Sequence, residues 1–213
     1  MTDIRFSPLH NTFVSEVSGF DISEAIEPHI PEILARELME RKVLLIRNQN
    51  LTPAQYAEFG RKWADHTRID GFSEMHVPGF DDLNMVGNTG TLFRDEEYRN
   101  GACFWHTDCA AEPDANAITM LYCVYAPESG GETRFADMEA AYLSIGDEAR
   151  SRIEHLNAWH CYSGTREILG GRESWEHSLT PVSAETAAGL PAPVSRPLVR
   201  RHSITERKSI YAP

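Results

Sequence analysis

Apolar residues recur along this chain in short runs broken by turn residues, a pattern of small strands with a few helices between them. Between residues 11 and 26, Phe13, Val17, Phe20 and Ile22 alternate loosely with polar neighbours, which predicts short strands turning at Ser18-Gly19. Pro28 and Pro31 then open a helix that carries Ile30, Ile33, Leu34 and Leu38 on one side. Val43-Leu44-Leu45-Ile46 has the compact apolar character of a buried strand. Thr52-Pro53-Ala54-Gln55 is a capping-box pattern with proline at the first helical position. Tyr56, Phe59 and Trp63 follow at helical spacing, and a stripe of that kind belongs to a core.

From Asp65 to Gly101 the pattern loosens. A strand is predicted at Leu83–Val86, a turn at Gly87–Gly90 and a solvated loop at Asp95-Glu96-Glu97. Ala117–Ala126 reads as a core strand, Pro127–Gly131 as a turn and Thr133–Phe135 as the start of a returning strand. Asp137 is the expected N-cap of a helix holding Ala140, Ala141, Tyr142 and Leu143, with a second short helix from Asp147 to His155. Ala158–Tyr162 is strand-like, and Ser163–Pro197 is rich in Gly, Ser, Pro and Ala, an irregular insert. Leu198–His202 and Lys208–Ala212 form a hairpin across Thr205-Glu206. The pattern alone gives a mixed, strand-rich α+β class, and 213 residues suit a single domain, 1–213.

Composition narrows the function classes. Twenty basic against thirty-two acidic residues leave a net charge of −12, a surface that repels phosphate backbones and anionic lipid, so nucleic-acid and membrane partners are not expected. A pocket lined by local Arg or Lys still admits a small anionic substrate. No apolar run reaches the ~20 residues of a membrane helix, and the opening MTDIRFSPLH lacks the basic start and apolar core of a signal peptide. Cys103, Cys109, Cys123 and Cys161 show no Cys-x-x-Cys spacing, which suits free thiols in a reducing cytoplasm.

The candidate chemistry lies in Phe104-Trp105-His106-Thr107-Asp108. On an extended strand, residues two apart project from one face, so His106 and Asp108 would present an imidazole and a carboxylate to one point. Two histidines and one carboxylate make the facial triad of non-haem iron, and these two residues suit two of its corners. The competing reading is an ordinary strand with a hydrogen-bonded histidine. A further motif, Gly130-Gly131-Glu132-Thr133, ends 27 residues beyond His106.

Trp-His-Thr-Asp together with Gly-Gly-Glu-Thr-Arg-Phe-Ala-Asp-Met resembles the taurine and 2,4-dichlorophenoxyacetate dioxygenase family (TauD/TfdA-like), iron enzymes that use 2-oxoglutarate. Leu9–Ile26, Val43–Phe59 and Leu198–Tyr211 are also similar to stretches of that family. The resemblance implies a double-stranded β-helix (jelly roll) with flanking helices, and the cofactor set Fe(2+), 2-oxoglutarate and O2. It implies oxidation of a C–H bond in a small organic acid or amino-acid-derived metabolite, with succinate and CO2 as co-products. His106 and Asp108 match metal ligands, and Thr133 matches the residue whose hydroxyl bonds the distal carboxylate of 2-oxoglutarate. Asn88, in a region that encloses substrate in the family, is the candidate substrate contact, beside its reading as a turn residue.

The family's second iron-binding His and its 2-oxoglutarate-binding Arg have no match here. His202, 96 residues after His106, is a weak candidate ligand. The expectation is that the family's C-terminal strands are missing from the chain. Strand edges left unpaired in that way invite a second copy, a homo-oligomer. The alternative function is a non-catalytic β-helix protein that binds a small molecule or partner and has lost the third iron ligand.

Overall fold

A helix crossover sets the first sheet. The computed structural model describes residues 3–10, 12–63, 75–87, 105–160 and 192–212. Contacts group the chain into two compact units, Met1–Thr67 with Met120–Asp137, and Arg68–Thr119 with Met138–Pro213.

In the first unit, strand β1 (Arg5–Pro8) runs antiparallel to β2 (Val14–Ser18), and β2 pairs in parallel with β3 (Val43–Ile46). Parallel neighbours need a long connection, supplied here by helix α1 (Ile30–Arg41). Lys42, at φ 70°, closes that helix by donating its backbone N–H to Leu38 O at 2.6 Å, and the chain passes directly into β3. Val17, Ile22, Ile30, Leu34 and Phe59 form the core, with Leu34 wholly buried. Helix α2 (Pro53–Arg61) has the expected capping box, with Gln55 N–H donating to Thr52 Oγ1 at 3.3 Å and Thr52 N–H to Gln55 Oε1 at 2.9 Å. Gly19 is fixed by crowding and conformation together: φ is +88°, and a Cβ would stand 1.9 Å from Asp3 O. Tyr122 joins residues 120–137 to this unit, its hydroxyl donating to Gln49 O at 3.2 Å and accepting from Leu51 N–H at 2.9 Å.

Among the described residues the second unit holds three antiparallel pairs: β4 (His76–Val77) with β5 (Phe80–Asn84), β6 (Asn157–His160) with β7 (Val194–Pro197), and β8 (Val199–Arg201) with β9 (Lys208–Ile210). Helix α3 (Met138–Ser144) packs on β9 and is followed by α4 (Asp147–Ile153). Glu154, just past α4, accepts from Lys208 Nζ at 2.6 Å and from the Tyr142 hydroxyl, so one carboxylate links both helices to β9.

Several expectations shift. The strand predicted at Leu83–Val86 lies earlier, as β5, and leaves Val86 exposed. The end of the supposed irregular insert is β7, paired to β6; Ser163–Pro191 lies outside the described residues. Ala117–Ala126 and Thr133–Phe135 form no ladder among the described residues, and Val124 is 85% exposed. An apolar run can suit a pleated surface, but a strand also needs a partner for its backbone groups.

Candidate active site

The His-Thr-Asp motif enters a tight double turn. No strand is formed at residues 105–107; Thr107 O accepts from Ala110 N–H at 3.3 Å and Cys109 O from Glu112 N–H at 3.0 Å. Cys109 takes φ 54°, the left-handed region, which ends any extended run directly after Asp108. Buried Ala110 and Ala111 anchor the turn, whereas Trp105 is exposed. Burial, then the nearby Asp108 and Glu112 carboxylates, push the Cys109 thiol up, which keeps it in the neutral form.

His106 and Asp108 nevertheless meet. Nε2 of the imidazole stands 3.1 Å from Oδ1 of the carboxylate, and both side chains are about half exposed, at 47% and 44%. That separation is a hydrogen bond in its own right. It also suits two neighbouring ligands of one ion, since donors about 2.1 Å from a metal and at right angles are about 3.0 Å apart. A neutral imidazole nitrogen beside a carboxylate oxygen is a donor pair that Fe(II) accepts. Among the described residues no group of three His, Cys, Asp or Glu side chains gathers around a single point.

The other candidates divide. Thr133 is exposed and follows Gly130 and Gly131, which take φ +79° and +75°, so the turn before it needs glycine twice. It lies in the first unit, whereas His106 and Asp108 lie in the second. Asn88 falls outside the described residues. His202 is occupied structurally, its Nδ1 accepting from the backbone N–H groups of Ile204 and Thr205 at 3.2 Å each, and so it holds the β8–β9 turn. Asp137, expected as a helix cap, stands directly before α3 and also pairs through Oδ2 with Lys42 Nζ at 3.0 Å.

Comparison with known proteins gives these residues their setting. The family model described as taurine catabolism dioxygenase TauD, TfdA family matches residues 5–213. The chain belongs to that family. Its members use Fe(2+), 2-oxoglutarate and O2, and the protein is an enzyme of the 2-oxoglutarate-dependent dioxygenase class. The alpha-ketoglutarate-dependent 2,4-dichlorophenoxyacetate dioxygenase of Cupriavidus pinatubonensis is 29% identical over 96% of this chain and 71% of its own length. The (S)-phenoxypropionate/alpha-ketoglutarate-dioxygenase of Sphingobium herbicidovorans is 28% identical over 96% of this chain and 68% of its own. The crystal structure of AAD-2 with Mn(II) and N-oxalylglycine superposes with a TM-score of 0.67 at 25% identity, covering 98% of this chain and 68% of that one. No helix among the described residues is long and apolar enough to cross a membrane.

Proposed function

We propose that the protein oxidises a C–H bond of a small organic acid, with His106 and Asp108 as two ligands of the Fe(2+) ion and Thr133 bonding the distal carboxylate of 2-oxoglutarate. The observation that carries this reading is the 3.1 Å approach of an imidazole nitrogen and a carboxylate oxygen in the family's metal motif. Fe(2+) held by His106 and Asp108, with 2-oxoglutarate beside it, would allow O2 to act as the oxidant, one oxygen atom going to the substrate C–H bond and the other into the succinate formed from 2-oxoglutarate with loss of CO2. The chain's own work is positional. The turn at residues 107–112 aims the Asp108 carboxylate at His106, and the paired glycines Gly130 and Gly131 set the start of Thr133's segment. Asn88 completes the proposal as a substrate contact. The double-stranded β-helix, with the described strand pairs as part of it, is supported by the likeness to AAD-2.

A small anionic substrate is supported by the two relatives named for phenoxy acids, which carry a carboxylate. A cytoplasmic setting belongs to the same reading and is supported by free thiols at Cys109 and Cys123. Pairing of two copies is also part of it, through strand edges such as those of the two-stranded sheets. The test is succinate formation from 2-oxoglutarate with Fe(2+) and O2, across a panel of aryloxy, sulfonate and amino-acid-derived acids. Succinate that rises with one acid class and falls away in His106→Ala is the expected result. A folded protein that binds those acids without forming succinate belongs to the non-catalytic alternative.

A further inference from the structure

The turn that carries Asp108 is held from a distance by one side chain. Three of its backbone carbonyls, those of Ala110, Glu112 and Pro113, all face the guanidinium of Arg196. Nε donates to Ala110 O at 3.0 Å, and Nη2 donates to Pro113 O at 3.2 Å and also to Glu112 O. A guanidinium presents its donors in a rigid planar fork, so three contacts fix both the place and the orientation of the segment they grip. The anchor is itself fixed, because Arg196 sits on β7 with Ala158 of β6 opposite in the ladder. All of these residues lie in the second unit.

The consequence falls on Asp108. Ala110 O, the first gripped carbonyl, lies two residues beyond it, across the left-handed Cys109. A non-glycine residue holds that conformation only where its surroundings require it. Without the grip, three carbonyls lose a charged donor, and the strained turn has less to hold its shape. We propose that Arg196 is a positioning residue of the metal site: by clamping residues 110–113 to β7 it keeps the Asp108 carboxylate directed at His106. This rests on the reading of His106 and Asp108 as metal ligands. Arg196 touches neither of them, so its effect passes through the backbone, as supporting residues around metal ligands do.

The experiment is a Mn(II) titration of the whole chain, followed by electron paramagnetic resonance of the free ion, with an unfolding curve for every variant. Arg196→Ala is expected to weaken Mn(II) binding by about tenfold or more, the scale on which outer residues act on metal affinity. Arg196→Lys, which keeps the charge and some donors, is expected to recover part of that loss. Arg200→Ala is the control, since Arg200 stacks over the Tyr211 ring at 4.4 Å on the neighbouring β8 and makes none of these carbonyl contacts. It should bind Mn(II) within about twofold of the parent. Should Arg196→Ala fail to fold, Arg196→Gln carries the same expectation with one amide donor retained. Unchanged affinity in the folded Arg196 variants, or an equal loss in Arg200→Ala, overturns the proposal. Mn(II) binding that ignores Asp108→Ala marks instead the failure of the ligand assignment itself.

Discussion

Replacing His160 with Phe is expected to stabilise the protein and to remove part of its sensitivity to acid. His160 ends β6, is 1% exposed, and among the described residues has no hydrogen-bond partner at either Nδ1 or Nε2. Burial first, then the Arg196 and Arg200 charges, hold its pKa below the usual 6.5, so the ring is neutral in the folded state. A neutral imidazole brings one donor and one acceptor, and each left unpaired costs about 1–3 kcal/mol. Phe removes both and retains the ring contact with Tyr211, whose centroid lies 5.0 Å away. Its slightly larger ring takes back some of that gain through crowding. The expected net gain is about 1–2 kcal/mol at pH 8, roughly 2–8 °C in Tm for a chain of this size.

The pH dependence has a definite sign. Because the folded pKa is depressed, the unfolded chain binds the extra proton first as pH falls below about 6.5, and stability is lost down to the folded pKa. One proton gives a slope of at most about 1.4 kcal/mol per pH unit. The advantage of His160→Phe should therefore widen between pH 8 and pH 5.5. Urea unfolding at both values measures it. A variant less stable than the parent by more than about 1 kcal/mol, or an advantage equal at both pH values, refutes the reasoning.

Three other outcomes follow from the same structure. Leu34→Ala empties a wholly buried core position and should cost about 2–5 kcal/mol in urea unfolding. Tyr122→Phe leaves Leu51 N–H and Gln49 O without their hydroxyl partner and should cost about 1–2 kcal/mol by the same measurement. Lys208→Met takes away the hydrogen bond that does most to hold the Glu154 pKa low, so the Glu154 carboxyl should titrate nearer its ordinary 4.5, as read by carbon-13 NMR.

What the sequence revealed was local. The capping box at Thr52 and Gln55 depends on residues three apart, and Val43–Ile46 appears as the strand its composition predicts. The helix carrying Ile30 and Leu34 announces itself through proline and period. Long-range facts stayed hidden. β7 is four residues ending in proline, and only its ladder with β6 makes it a strand. The same limit worked in reverse at Ala117–Ala126, where a strand-like pattern has no ladder among the described residues. At the site, the His-x-Asp spacing placed the two side chains together, although through a turn and not the expected strand. Arg196 carried no sequence signal for its contacts, which reach 83 to 86 residues back along the chain.

The central claim is that His106 and Asp108 hold one iron ion to which 2-oxoglutarate adds. Anaerobic protein mixed with Fe(2+) and 2-oxoglutarate should develop the visible charge-transfer band of that chelate. Asp108→Ala should abolish the band, and Cys109→Ala, one residue along, should keep it. A band that survives in Asp108→Ala, or is lost equally in both variants, contradicts the assignment.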